Sequence, residues 1–250
     1  MSLTSSLLSV LLLQTSPGNT AFSVEIAQDC LEADSCNDAR WSSFYGTWVR
    51  KETRETAEAR FAEIVSAAVD AADDLLCLDE HEQPRPDCTP YSGVVGKGGF
   101  RWTRTQLATM TTAVAVIESG LREDVQVGRG SARKPSDDGG RGRGPGREAC
   151  LLQIHPTIYQ RFTEAPLTGL LGRNPQAVRE CFRTGMRMLI TARAYCASQA
   201  PRVPWDWATN AMYTTGTSCS SANNGKTGAR THLFRRMMAA MQQRSRASES

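Results

Sequence analysis

The chain has 250 residues, with 29 Lys and Arg against 26 Asp and Glu, for a formal net charge of +3. That length can bury one sizeable core, or one core with a helical prefix, and so small a net charge argues against a dedicated nucleic-acid binder, which gathers far more Lys and Arg on one surface. No segment is long and apolar enough to read as a membrane span.

The first element is the run Leu7-Leu8-Ser9-Val10-Leu11-Leu12-Leu13, followed by Thr15, Ser16, Pro17, Gly18 and a cleavage point near Ala21. It reads as the h-region of a signal peptide over residues 1–21, although no Lys or Arg precedes Arg40 to supply a basic n-region; a short buried or interfacial helix is the other reading. Residues 22–50 hold Trp41, Phe44, Tyr45 and Trp48 without clear periodicity and are expected to cover the core. Between Glu52 and Leu78, residues Phe61, Ile64, Val65, Ala68, Val69, Ala72, Leu75 and Leu76 recur at helical spacing, the clearest helix in the chain. Its acidic end, with Asp70, Asp73, Asp74, Asp79 and Glu80, is expected to be a solvated face and not a metal site. The segment from His81 to Asp87 breaks the helix, and Gly93, Gly96, Gly98 and Gly99 mark the loop beyond it. Those glycines lack the Lys-Ser or Lys-Thr ending of a phosphate-binding loop.

A helix capped by Thr103 or Thr105 then runs to Glu118, where Leu107, Thr111, Val114 and Glu118 fall on one face and Gly120 signals a turn. A carboxylate on the packed side of such a helix resists ionisation, because burial disfavours charge. A Glu that holds its proton near neutral pH can donate it to a leaving-group oxygen. The simpler alternative is a solvated Glu at the rim of the core.

Residues 128–147 interleave Gly128, Gly130, Gly139, Gly140, Gly142, Gly144 and Gly146 with Arg129, Arg133, Lys134, Arg141, Arg143 and Arg147. This composition cannot build a core and is expected to form a basic loop. Asn174-Pro175 starts a further helix, Asn as cap and Pro at the first helical position, reaching to about Cys196. Its apolar face is Val178, Phe182, Gly185, Leu189 and Ala192, and the stripe Arg179, Arg183, Arg187 is expected to be solvated. Trp205 and Trp207 follow Pro204, and a last helix over Thr231–Gln242 carries Leu233, Phe234, Met237, Met238 and Met241, a row that reads as core. Residues 243–250 are expected to be a disordered tail.

Eight cysteines, at 30, 36, 77, 88, 150, 181, 196 and 219, show no zinc-ribbon or thioredoxin spacing, which favours disulfides over metal or redox chemistry. Cys30 with Cys36 and Cys77 with Cys88 would close short loops. Cys181 and Cys196 share a predicted helix, about 22 Å apart, beyond disulfide reach, so they pair with Cys150 and Cys219 in one of two ways.

Glu118-Ser119, then Leu151, Gln153 and Ile154, then Tyr213 and Gly216 follow in the order of three motifs of the soluble lytic transglycosylases, and the region 100–240 resembles that family of peptidoglycan-cutting enzymes. Cys150 stands where the family has Gly, Leu152 where it has Met, and Thr214 and Thr215 where it has Asn and Ala. The resemblance implies an all-α fold, with α+β as the variant: a lysozyme-like domain over 100–242 behind a helical N-terminal extension over 22–99. It implies Glu118 as the single catalytic acid and base, and Ser119, Gln153, Ile154, Tyr213 and Gly216 as residues that bind substrate or orient Glu118. The substrate would be the bond between N-acetylmuramic acid and N-acetylglucosamine. The muramic acetamide would stabilise the developing cation, and Glu118 would then deprotonate the C6 hydroxyl to close a 1,6-anhydro ring, with no metal or cofactor. Pairing Cys150 with Cys181 and Cys196 with Cys219 would tie the central helix to both cleft segments. The expected partner is the peptidoglycan strand, with no nucleic acid, the chain acting as a monomer in the periplasm, the cell envelope or outside the cell, or as a phage virion or lysis protein. Two alternatives stay open: a hydrolytic muramidase of the goose-type lysozyme kind, in which Asp124 would help to activate water, and a non-catalytic wall-binding or virion structural protein.

Overall fold

Apolar residues at helical spacing carry the chain into five long helices in the computed structural model, which describes residues 54–96, 99–128, 148–163, 166–220 and 225–248. They are α1 (Arg54–Leu76), α2 (Arg104–Ser119), α5 (Pro175–Gln199), α6 (Trp205–Thr215) and α7 (Gly225–Ser248), with two single-turn helices, α3 (Glu123–Gln126) and α4 (Pro156–Tyr159), and a 3-10 turn at Leu167–Leu170. Among the described residues the only extended pairings are three isolated bridges, and the fold is all-α. The signal-peptide reading, the Trp41 to Trp48 stretch, the Cys30 and Cys36 pair and most of the basic glycine-rich segment fall outside the described residues.

The helix ends follow local chemistry. Thr103 accepts the Gln106 backbone N–H while the Gln106 side chain accepts the Thr103 N–H, a complete capping box opening α2. Asn174 caps α5 by accepting the Ala177 N–H, with Pro175 in the first turn. α5 is the hub: α1, α6 and the 3-10 turn pack on it, and α2 lies against α1, α5 and α7. One apolar cluster joins Phe61, Ala68 and Leu75 of α1 to Leu107 and Val114 of α2, Phe182 and Leu189 of α5 and Phe234 and Met237 of α7. The boundary expected at residue 99 is therefore not a division between packed units. α1 shares the core of the helices that follow it, because a single amphipathic helix needs a partner face to bury its apolar stripe. The tail expected from residue 243 is likewise helical through Ser248, in a stretch free of Gly and Pro.

Two further expectations change once helices face one another. The acidic end of α1 is not simply solvated: Asp73 takes both guanidinium donors of Arg104, at 2.5 and 2.7 Å, and Asp74 those of Arg179, at 2.9 and 2.6 Å. These forked pairs bind α1 to α2 and α5. The arginine stripe of α5 is engaged in the same way. Arg183 pairs with Glu180, and Arg187 donates to the Phe162 carbonyl at 2.7 Å while lying over the Tyr91 ring. Trp205 packs on Phe100, Trp102 and Phe234, centroids 5.2 to 5.6 Å apart, as a lid over the core.

Among the described glycines, Gly185 leaves the least room for a side chain. A Cβ there would lie 2.2 Å from Leu152 Cδ1, and Leu152 is only 1% exposed. On an exposed helix, Gly to Ala raises stability by about 1 kcal/mol. Here overpacking of about 1 to 3 kcal/mol opposes that gain, and Gly185→Ala is expected to lower the midpoint of urea unfolding. A midpoint at or above wild type would mean that Leu152 gives way freely.

Candidate active site

α2 is buried along nearly its whole length, and it delivers Glu118 at its C-terminal end with a side chain only 10% exposed. Gly120 stops the helix in the left-handed region (φ 59°), its N–H bonding back to the Val116 carbonyl, and Leu121 (φ 55°) extends the reversal. Glu118 lies on the packed side, as its spacing with Leu107, Thr111 and Val114 predicts; those three are fully buried.

What meets it there is not an apolar wall. Lys226 donates to Glu118 Oε2 at 2.6 Å, and Arg230 pairs with Oε1. The two cations stand four residues apart on the first turns of α7, on one face. Their partnership with Glu118 favours the carboxylate over the protonated acid, the reverse of the buried neutral Glu expected from burial alone. Burial pushes the Arg230 guanidinium down to about 9, which still leaves it a cation at neutral pH. Arg230 reaches further: it donates to the Thr214 hydroxyl and lies over the Tyr213 ring, 5.1 Å from its centroid. Tyr213 in turn donates its hydroxyl to the Leu152 carbonyl at 3.0 Å, and burial holds that phenol well above its ordinary value, so it stays a donor. Glu118, Arg230, Tyr213 and Leu152 thus form one chain of contacts linking α2, α7, α6 and the turn after Glu148.

No family model, curated protein or solved structure matches this chain.

The turn that presents Leu152 is built with care. Ala149 and Ile154 exchange both backbone hydrogen bonds at 2.9 Å, and Cys150 (φ 58°) and Gln153 (φ 50°) both take the left-handed region. Cys150 stands where the resembled family has Gly, and its backbone conformation is the one that favours Gly. Left-handed backbone costs a non-Gly residue roughly 1 to 2 kcal/mol, here held by the Cys150–Cys181 disulfide to α5. Buried Gln126 grips the same turn from below, accepting the Leu151 N–H at 3.2 Å and donating to the Leu170 carbonyl at 2.9 Å. Cys77–Cys88 and Cys196–Cys219 complete three disulfides, of which Cys150–Cys181 and Cys196–Cys219 tie α5 to the turn at Cys150 and to the segment after α6, and no described cysteine is free. Replacing Cys150 and Cys181 together by Ala is expected to cost about 4 kcal/mol for a closed loop with a sequence separation of 31, read as a shift in the unfolding midpoint. An unshifted midpoint would assign the turn's geometry to Gln126 and the Ala149–Ile154 bridge alone.

The remaining predicted site residues divide. Ser119 is buried and occupied with the helix end, donating to the Ala115 carbonyl at 2.8 Å and accepting the Leu121 N–H at 3.0 Å, so its hydroxyl does not support the carboxylate. Ile154 is 1% exposed and belongs to the core beneath the turn, because its bridge to Ala149 aims it inward. Gln153 is half-buried and its amide donates to the Cys150 carbonyl at 3.1 Å, within its own turn and not to Glu118. Gly216 is exposed, ends α6 in the left-handed region (φ 69°), and would admit a Cβ without contact. Thr214 accepts from Arg230 while donating to the Asn210 carbonyl at 2.7 Å. Among the described residues no cluster of three or more His, Cys, Asp or Glu is set to hold a metal ion. Nothing is described of the Asp124 side chain, the muramidase alternative's candidate.

The apolar row places the last helix at Thr231–Gln242, which leaves Lys226 and Arg230 outside it, whereas the helix begins at Gly225. A signal was present: Lys226, Thr227, Arg230 and Thr231 share one helical face, a polar stripe continuous with the apolar row beyond it.

Proposed function

We propose that this chain is a peptidoglycan lytic transglycosylase with Glu118 as its acid and base. The observation that carries the reading is the contact chain from Glu118 through Arg230 and Tyr213 to Leu152, which brings the three sequence motifs to one place from three separate elements. The ion-paired Glu118 must first take up a proton from solvent, and in the first step it gives that proton to the glycosidic oxygen. Lys226 and Arg230 then neutralise the carboxylate that forms, which makes Glu118 a stronger acid than burial alone would leave it. In the second step that carboxylate removes the proton of the muramic C6 hydroxyl as the anhydro ring closes. Tyr213 and Thr214 do not touch the reacting atoms in this reading; they hold Arg230, and Arg230 holds Glu118. Three disulfides and the absence of a long apolar helix among the described residues fit work in an oxidising compartment such as the periplasm or cell exterior.

One observation favours a second reading. A carboxylate with a cation on each oxygen is a stable structural feature, as a non-catalytic wall-binding protein of the same fold would keep it. Digestion of purified peptidoglycan followed by mass spectrometry separates the readings. Soluble fragments that lack one water per cut are the expected result; reducing ends would mean a muramidase, and binding without any soluble product would mean the wall-binding protein.

A further inference from the structure

α6 and α7 meet through polar groups at a regular spacing. Asp206, Asn210 and Thr214 stand four residues apart on α6, and Thr227, Thr231 and Arg235 four apart on α7, so each trio lines one helix face. The two rows pair in antiparallel order. Arg235 donates to both carboxylate oxygens of Asp206, at 2.5 and 2.9 Å, and the Asn210 amide donates to the Thr231 hydroxyl at 3.2 Å. The Thr227 hydroxyl lies 3.4 Å from that of Thr214, which also accepts from Arg230. This last rung stands beside Glu118, because Lys226 and Arg230 leave α7 at the same level and both contact the carboxylate.

Apolar contacts between the same helices, Trp205 against Phe234 and Trp207 beside Gly228, have no directional preference and tolerate sliding. The polar rungs do not. A shift of α7 by one turn, about 5.4 Å, would set Asp206 against Thr231 or Ala239 in place of Arg235 and carry Arg230 away from Glu118. In the outer rung Arg235 is exposed, so water can replace either partner there. Asn210 and Thr231 are both buried, where an amide deprived of its partner is costly. A single buried Asn is known to fix the register of paired helices in this way.

We propose that Asn210, through Thr231, is a positioning residue that sets the register of α7 and so holds Lys226 and Arg230 on Glu118. The inference rests on the transglycosylase reading for its effect on rate, but not for its effect on the carboxylate. The charged and titratable groups around the end of α2 are Lys226 and Arg230 from α7 and Tyr213 from α6. Glu148 acts on Tyr213 from the turn, and Arg60 of α1 donates to the Leu121 carbonyl just beyond the helix. Of these, only the two cations move with α7.

The test follows the titration of the Glu118 carboxyl carbon by NMR, which reads the cations directly, and kcat and KM for fragment release, which read the chemistry. Asn210→Leu, similar in volume, and Thr231→Val, which removes one hydroxyl, each open the middle rung. Both are expected to keep Tm within about 4 °C of wild type. In each, Glu118 should titrate at higher pH than in wild type, because the cations no longer sit squarely on its oxygens. At the optimum pH, kcat should fall about tenfold with KM within about twofold, and the loss of rate at rising pH should move upward with the carboxyl. Thr231→Ser keeps the hydroxyl and should match wild type. An unchanged Glu118 titration in Thr231→Val would overturn the proposal, whether or not Asn210→Leu folds. Unfolding of Thr231→Val would overturn it too, by making the rung a support of the fold and not of the register. A shifted Glu118 titration, in a protein whose wild type releases no fragments, would remove the transglycosylase reading and leave the role of Asn210 standing.

Discussion

Glu118→Gln is expected to lower the release of soluble fragments from peptidoglycan by about 10²- to 10⁴-fold, the range for loss of a positioned general acid. The change is nearly isosteric, and the amide oxygen can still accept from Arg230, but the amide cannot donate a proton to the leaving oxygen or remove one from the C6 hydroxyl. The substitution also has a structural cost that must be separated from the chemical one. The Arg230 side chain is only 2% exposed with its guanidinium against Glu118, and without the carboxylate its charge has no counter-ion in contact. Stranding a buried charge costs about 3 to 5 kcal/mol, with the lower end applying while the amide still accepts a hydrogen bond. The comparison therefore belongs at a temperature where circular dichroism finds both proteins folded. A folded Glu118→Gln protein that still releases fragments within threefold of wild type would remove Glu118 from the chemistry altogether. Product masses decide what remains in that case.

The sequence carries the placement of Glu118 but not its company. Period and capping signals locate α2, its start at Thr103 and its stop at Gly120, because these are set by residues within a turn of one another. They also place Asn174 and Pro175 at the head of α5 and the methionine row of α7 in the core. The partner of Glu118 is another matter: Lys226 is 108 residues away in sequence, and helical periodicity says which face a side chain takes without saying what packs there. The same reason accounts for Asp74 and Arg179, 105 residues apart, each expected to be solvated and each found paired. Ser119 illustrates a different limit. A hydroxyl one residue from a helix end has backbone groups of its own to satisfy, and here local bonding takes it away from the carboxylate. Cys150 shows that a departure from a motif can be reconciled by structure, since a disulfide holds the backbone shape that Gly would adopt freely.

The second large effect is an asymmetry within the ion pair. Glu118→Leu should destabilise the fold by about 3 to 5 kcal/mol, because it leaves Arg230 buried with no anion beside it. Arg230→Met should cost less, about 1 to 3 kcal/mol, because Lys226 still neutralises Glu118 and the principal loss is the hydrogen bond to Thr214 and the packing on Tyr213. Joining the two changes removes both charges from the interior, and the methionine can follow the path of the arginine stem along the tyrosine ring. The double variant is then expected to be more stable than Glu118→Leu alone, with a coupling between the two sites of about 1 to 3 kcal/mol in a denaturation cycle. A double variant less stable than either single one would mean that Arg230 is held mainly by Thr214 and Tyr213. Near-zero coupling would mean that the Glu118 carboxylate is satisfied by Lys226 alone. The expected pattern has a functional corollary: an apolar pair that stabilises the fold yet cannot release fragments would show that this buried charge is retained for chemistry, at the expense of stability.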